Sequence, residues 1–329
     1  MKSMIWEILL PQRKIYKLIL YVSLMPILKN VKVDFQVTGW CSEQPPKNKL
    51  KKLIVEQLER TPKTIKQITD TLYDIDENRV IFLTDYYNQK YKRVVSEGLK
   101  EVERKYLVDS SHSDTFIGIS KNGKNWLYIV RGIEIMTDQG HFLAAGISDQ
   151  FLFKPIHTKY KGGPNLRRAL TWAKEKDALI IASHPLSEYH KWKSPIVSGL
   201  LYIVGDPSGM HLGLDELNIR KYADFFDALE KHSLSMSLKQ RLKVEALAQE
   251  LHIPTVVNTD GTLDLALTSY NFFREIDFSS RERLRQSVRE GLKHERGNYS
   301  ICKIGNGNSN LLEKIKHIAI NLIHNREYY

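Results

Sequence analysis

Cysteine is scarce in this sequence, with only Cys41 and Cys302 among 329 residues. The two lie far apart and form no CxxC or cysteine–histidine spacing, which argues against a disulfide framework and a zinc finger. The sequence also lacks internal repeats and low-complexity segments. Isolated thiols are the usual state of cysteine in a reducing compartment, so we expect a cytoplasmic protein.

Long apolar runs are scarce as well. The run at residues 18–28 follows several basic residues, as a short signal or anchor would, but it is too short to span a bilayer and Pro26 interrupts it. No small-residue cleavage site follows it. We therefore predict a helical extension over residues 1–30 and no membrane span, with Met25 as an alternative start of the functional chain.

Acidic residues are outnumbered by basic ones, 38 to 49, which gives a net charge of +11 and a pI near 9.3. Such a surface attracts polyanions and phosphorylated ligands. The positive charge is spread from residues 47–52 to residues 281–296, in runs that are typical of solvated faces. Charge alone therefore does not indicate a nucleic-acid-binding protein.

Apolar, β-branched runs alternate with helical patterns along the chain. The predicted buried strands are residues 31–37, 80–83, 128–135, 179–182 and 255–257. Strands that alternate with helices favour a parallel sheet, either a doubly wound layer or a barrel. We predict one catalytic-type α/β domain with an extension at each end.

The helical patterns have clear starts and apolar stripes. They begin near Pro62, Pro164, Leu238 and Ser279, the last with capping-box spacing to Glu282. The predicted stripes of the last three helices are Leu166, Leu170 and Ala173; Leu238, Leu242, Leu247 and Leu251; and Leu284, Val288 and Leu292.

Polar residues fall in or just beyond the predicted strands. They are Asp34 and Gln36, Thr84 and Asp85, Glu134, Ser183 and His184, and Thr259 and Asp260. In an α/β barrel such positions converge on one face and build the site. Taken singly, each residue also fits a structural role, such as a helix cap or a histidine held before proline.

In chain order, these segments resemble the motifs of the PHP (polymerase and histidinol phosphatase) superfamily. The resembling segments are 33–38 (VDFQVT) followed by Ser42 and Glu43, 81–86 (IFLTDY), 131–135 (RGIEI) continuing to 140–143 (GHFL), 179–185 (LIIASHP), 227–230 (DALE), and 253–262 (IPTVVNTDGT). Residues 278–291 are similar to the helix that follows the core. The order and spacing of these motifs, over roughly residues 31–295, carry the resemblance.

The resemblance implies a distorted (β/α)7 TIM-like barrel over residues 31–275. Residues 276–329 would form a C-terminal helical extension that packs on the barrel, and residues 1–30 the N-terminal extension. Members of the superfamily hold up to three divalent metals, typically zinc, manganese or iron, and hydrolyse phosphate esters.

The chain departs from the superfamily pattern at several metal ligands. Gln36 and Thr38 replace both opening histidines, Tyr86 and Thr262 replace two further ones, and Glu43 stands where an aspartate is usual. These four hydrogen-bonding replacements are expected to bind a phosphate or a water molecule. Among the matching residues are Glu134, His141, His184 and Asp260.

The resemblance thus implies one complete metal position, formed by Glu134, His141 and His184, with Asp260 and Glu43 as additional ligands. Asp260 and His184 are the expected catalytic residues, Asp260 as the proton-handling group. The implied function is a divergent metal-dependent phosphoesterase, a phosphatase or phosphodiesterase acting on a phosphorylated small molecule or a nucleic acid. The alternative is an inactive module, with or without metal, that binds a phosphorylated ligand, nucleic acid or protein partner.

Overall fold

The computed structural model describes the predicted strands and parts of the segments around them. The described residues are 27–38, 65–72, 77–84, 98–148, 164–187, 213–232, 236–259, 261–262, 267, 269–294 and 298–301.

Strands and helices alternate through much of the described chain. The strands are β1 (Ile27–Thr38), β2 (Asn78–Leu83), β3 (Leu107–Asp109), β4 (Phe116–Ser120), β5 (Leu127–Thr137), β6 (Gly140–Ala145), β7 (Leu179–Ala182), β8 (Ala228–His232), β9 (Thr255–Val257), β10 (Gly261–Thr262), β11 (Tyr270–Asp277) and β12 (Tyr299–Ser300). The helices are α1 (Ile65–Leu72), α2 (Leu99–Lys105), α3 (Leu166–Glu175), α4 (Glu216–Lys221), α5 (Leu238–Glu250) and α6 (Arg281–His294), with a short 3-10 helix at Ala223–Phe225.

The strands form a sheet that curls into a nearly closed barrel. Along the sheet the order is β12-β11-β1-β2-β5-β6-β7-β8-β9, and β10 pairs with β1 in parallel. β10 follows β9, the last strand in this order, within a few residues. Its pairing with β1 therefore brings the chain after β9 back to β1 and nearly closes the barrel. Asn271 of β11 bridges this join, since its amide donates to the carbonyls of Val33 and Val257 at 3.2 and 2.7 Å. This mixed α/β barrel confirms the predicted fold class, a distorted TIM-like barrel.

The prediction of a parallel sheet is wrong for part of the barrel wall. β1, β2 and β5 are parallel, as are β7, β8 and β9. β6 is antiparallel to both β5 and β7. Only Asp138 and Gln139 separate β5 from β6, and such a short hairpin turn joins antiparallel strands.

One apolar cluster fills the barrel, and α6 covers it. Its members include Val33, Phe35, Phe82, Val130, Leu143, Ile181 and Val256 from the strands, and Leu284, Val288 and Leu292 from α6. The predicted stripe of this helix is therefore buried as expected. The helix cap is Ser280, whose Oγ accepts the N–H of Arg283 at 3.1 Å, one residue later than predicted.

Helices outside the barrel cover the opposite faces of the strands. α3, α4 and α5 pack around β6, β7 and β8, whereas α1 and α2 pack around β2, β4 and β5. The predicted stripe of α3 is buried. The predicted stripe of α5 is wrong at its start, because Leu238 and Leu242 are 69% and 58% exposed while Val244 and Ala248 are buried.

The ends of the chain lie outside the described residues. β1 begins at Ile27, inside the predicted N-terminal extension, and residues 1–26 and 302–329 are not described. Within the described part of the chain, no helix is long and apolar enough to cross a membrane.

Arginines on one face of α6 bind aspartates that lie just before β4, β7 and β8. The contacts are Arg281 Nη2 to Asp114 Oδ1 at 2.6 Å, Arg285 Nε to Asp177 Oδ2 at 3.0 Å, and Arg289 Nε to Asp227 Oδ1 at 3.0 Å. Burial raises the pKa of Asp227, and the charge of Arg289 opposes that rise. These ion pairs fix α6 to the segments that precede β4, β7 and β8.

Replacing Arg289 with methionine is expected to lower the free energy of unfolding by about 2–3 kcal/mol. Methionine retains much of the apolar stem but leaves the Asp227 carboxylate, whose side chain is 22% exposed, without its counter-charge. Urea unfolding measures the loss. Arg220 of α4 is the matched control, because its ion pairs with Glu216 and Glu250 are exposed and Arg220→Met should change stability far less. Equal losses in the two variants would contradict this role of α6.

Candidate metal centre

The barrel interior turns from apolar to polar toward the carboxyl-terminal ends of its parallel strands. On β7, Ile181 lies in the apolar cluster and Ser183 follows two residues later on the same face. On β8, Glu230 likewise follows Ala228. The interior polar group, which we call the polar layer, consists of Gln36, Glu134, His141, Ser183, His184 and Glu230, all buried.

The β5–β6 hairpin brings Glu134 and His141 together. Glu134 pairs with Leu143, and His141 lies two residues away on the same face of β6. At the turn, Thr137 Oγ1 donates to the Gly140 carbonyl at 2.6 Å, and Gly140 has φ 132°, which favours glycine. His141 Nδ1 consequently lies 3.2 Å from Glu134 Oε1.

His184 reaches the same oxygen from the end of β7. Its backbone adopts φ 31°, and its N–H donates to the carboxylate of Glu230. In this conformation His184 Nε2 lies 3.0 Å from Glu134 Oε1. Glu230 therefore holds the backbone that carries this imidazole.

The three donor atoms fit a divalent ion. Those of Glu134, His141 and His184 all lie within 4.8 Å of one another. Bonds of about 2.0–2.1 Å in tetrahedral geometry would separate ligand atoms by roughly 3.3 Å, close to the 3.0 and 3.2 Å from Glu134 Oε1 to the two imidazoles. Two imidazoles and a carboxylate suit zinc or iron and leave positions for water or substrate.

The environment of Glu134 favours its charged form. Burial raises the pKa of the carboxyl, but hydrogen bonds with His141 and His184, and their charges, hold it well below its usual range. Glu134 is therefore ionised near neutral pH, as a metal ligand must be.

Asp34 does not join the polar layer, although it was predicted to converge with it. Its carboxylate accepts the N–H groups of Gln36 at 3.2 Å, Thr259 at 3.3 Å and Leu267 at 3.0 Å, and the hydroxyl of Thr259. It thus ties β1 to the chain that follows β9. Burial raises the pKa of Asp34 to about 6, and these hydrogen bonds oppose the rise.

The raised pKa of Asp34 predicts a pH-dependent contribution to stability. The folded protein binds this proton more tightly than the unfolded chain, so the contribution is present at low pH and disappears as pH rises through about 6. Between about pH 5 and pH 8, the unfolding free energy of the wild type minus that of Asp34→Asn should fall by about 1.4 kcal/mol. Urea unfolding of both proteins at the two pH values measures it, and a constant difference would refute it.

The remaining predicted site residues are only partly described. Thr38 and Thr262 are paired on the β1–β10 ladder, so their backbones lie side by side. Tyr86, Asp260 and Glu43 lie outside the described residues, as does Asp85. Their predicted roles remain predictions.

Glu230 was not predicted as a site residue, although it lies in the 227–230 motif. Its position in the strand could have indicated this role, because Glu230 lies two residues after Ala228 and therefore on the same face of the buried strand β8. A charged residue at an interior position needs a partner, which here is the backbone of His184.

No protein-family model matches the chain, and no curated protein matches it. Among solved structures, the chain is similar to PsfC from Pseudomonas syringae, at 14% identity and a TM-score of 0.45, over 90% of this chain and 100% of PsfC. It is also similar to a candidate metal-dependent phosphoesterase from Bifidobacterium adolescentis, at 11% identity and a TM-score of 0.37, over 72% of this chain and 89% of that protein. Similarity at this level assigns neither a family nor an activity to the chain.

Proposed function

We propose that the chain is a metal-dependent phosphoesterase, a phosphatase or phosphodiesterase, with a single divalent ion held by Glu134, His141 and His184. The observation that carries this proposal is the buried carboxylate of Glu134 with two imidazole nitrogens at 3.0 and 3.2 Å from one of its oxygens. Zinc, manganese or iron is the expected ion, and the two imidazoles favour zinc or iron.

A bound ion would lower the pKa of a water molecule on it, and its positive charge would stabilise the phosphoryl oxygens. Glu134, His141 and His184 would hold the ion. We assign proton transfer to Asp260, and Glu43 would add a carboxylate ligand. Thr38, Tyr86 and Thr262 would donate hydrogen bonds to the phosphoryl group.

Phosphate esters are the proposed substrates because of the order of the motifs and the charge of the chain. The motifs that carry Glu134, His141 and His184 resemble those of phosphoesterases, and a net charge of +11 favours anionic ligands. A phosphorylated small molecule and a nucleic acid both fit this chemistry.

A second candidate function is a non-catalytic module that binds a phosphorylated ligand, nucleic acid or protein partner. It is favoured by the hydrogen bonds of Glu134, which involve both histidines, Ser183 and Gln36. A buried polar network satisfied in this way also stabilises a fold that has lost its reaction.

Hydrolysis of a chromogenic phosphomonoester and phosphodiester tests the proposed function. We expect turnover by protein loaded with zinc, manganese or iron, and a loss of at least about a hundredfold in kcat/KM for His141→Ala and His184→Ala. Activity that survives both substitutions would place the chemistry elsewhere. Metal binding without turnover on either ester would favour the non-catalytic module.

A further inference from the structure

A β-bulge in β1 turns Gln36 into the barrel interior. The register between β1 and β2 shifts between Asp34 and Val37, so that two residues of β1 stand opposite one of β2. A bulge re-aims the side chains beside it. Gln36 therefore faces the same interior space as Glu134, although the neighbouring Phe35 packs in the apolar cluster.

Gln36 and Ser183 form a closed set of hydrogen bonds with Glu134. Gln36 Nε2 donates to Glu134 Oε2 at 3.1 Å. Ser183 Oγ lies 3.2 Å from both Gln36 Oε1 and Glu134 Oε1, and its single proton can be donated to either. Gln36 and Ser183 are fully buried, so water does not replace these contacts.

Charge determines the orientation of the Gln36 amide. The NH2 group faces the carboxylate of Glu134, whereas the reverse orientation would place two oxygens against each other. The amide oxygen then accepts from Ser183. The amide thus has a defined orientation on the carboxylate.

The two oxygens of Glu134 consequently have different surroundings. Oε1 faces His141, His184 and Ser183, whereas Oε2 accepts from Gln36. We propose that Gln36 and Ser183 are positioning residues of the metal centre, which hold Glu134 so that Oε1 alone binds an ion and the centre takes one ion per chain. This inference rests on the proposed function.

Single-ion binding follows from the occupation of Oε2. A second ion on this oxygen would have to displace the Gln36 amide, whose N–H groups are the positive end of its dipole. Removing a partner that orients a metal ligand typically lowers metal affinity by about 10- to 100-fold.

The substitution Gln36→Met tests the inference because it keeps the length of the side chain and removes the amide. Zn²⁺ affinity, measured by competition with a chelator, should fall by about 10- to 100-fold. With Co²⁺ as the probe ion, visible absorption should also weaken, because a released Oε2 allows the carboxylate to bind through both oxygens and raises the coordination number. A purely structural role would leave both readouts unchanged.

Ser183→Ala is the second variant, and it should reduce Zn²⁺ affinity by a smaller factor. Thr69→Val is the matched control, because it removes one buried hydrogen bond, from Thr69 Oγ1 to the Ile65 carbonyl at 2.6 Å, on a helix outside the barrel. Its Zn²⁺ affinity should equal that of the wild type.

The possible results separate this inference from the proposed function. A wild-type protein that binds no metal would overturn the proposed function and the inference with it. One ion per wild-type chain with unchanged affinity in both Gln36→Met and Ser183→Ala would overturn the inference alone. Two ions per wild-type chain would overturn the single-ion claim.

Discussion

Exchange of Glu134 for glutamine is expected to weaken Zn²⁺ binding about a thousandfold, roughly 4 kcal/mol of binding free energy. Glu134 is the charged member of the donor set, and one of its oxygens faces both imidazoles. Glutamine has nearly the same volume, so the loss reports the charge and not a cavity. Competition with a chelator measures the affinity, and the melting temperature of the metal-free variant shows whether it folds.

The matched control removes a carboxylate from the protein surface. Glu250→Gln on α5 breaks an exposed pair with Arg220 and should bind Zn²⁺ as the wild type does. A Glu134→Gln variant that stays within tenfold of the wild-type affinity would contradict the assigned ligand set.

The second large effect is expected from Gly213→Ala, although Gly213 is not a ligand. A Cβ atom at this position would lie 2.1 Å from the carbonyl oxygen of His184 and 2.9 Å from the N–H nitrogen of Ser187. Gly213 also forms a parallel β-bridge with His141. We expect this clash to displace the backbone of His184.

Two measurements should change together in Gly213→Ala. The free energy of unfolding should fall by about 3 kcal/mol, as overpacking of backbone predicts. Zn²⁺ affinity should fall by about 10- to 100-fold, because the imidazole of His184 no longer meets Glu134. Urea unfolding and chelator competition measure these quantities.

Gly291→Ala is the matched control, because its added methyl group also crowds the protein interior but does not contact a proposed metal ligand. Its Cβ would lie 2.4 Å from Cδ1 of Phe273, where α6 packs on β11. We expect this variant to lose stability but to keep the wild-type Zn²⁺ affinity. Wild-type affinity in Gly213→Ala would show that the backbone of His184 does not depend on this contact.

Much of the secondary structure was predictable because burial follows the sequence period. The stripes of α3 and α6 were predicted and are buried, and the five predicted strands are present. The stripe of α5 was not predictable, because leucines occur on both of its faces. Packing against β8 selects Val244 and Ala248 and leaves Leu238 and Leu242 exposed.

The candidate site was predictable for residues whose position in a strand determines whether the side chain faces the barrel interior. Glu134, Ser183 and His184 lie in or just beyond predicted strands, so we expected them to converge, and His141 was expected beside them from the resemblance to the PHP motifs. Gln36 was expected at the site, but its direct contact with Glu134 was not predictable, because that contact depends on a bulge that strict alternation does not contain. Gln36 was expected to bind a phosphate or water, and its amide instead contacts a carboxylate and a serine.

Asp34 is the opposite case, a residue that was expected at the site but does not belong to the polar layer. Its position before Gln36 on β1 suggested a site residue, yet its carboxylate binds backbone groups of Thr259 and Leu267. Sequence position does not distinguish an acid that binds a ligand from one that ties two segments together, because both need burial at a strand end.

Anomalous diffraction from crystals grown with Zn²⁺ tests the central claim most directly. We predict one strong peak per chain, about 2.0–2.2 Å from Glu134 Oε1, His141 Nδ1 and His184 Nε2. The absence of a peak between these atoms, in crystals that contain Zn²⁺ at saturating concentration, would contradict the claim that they form a metal centre.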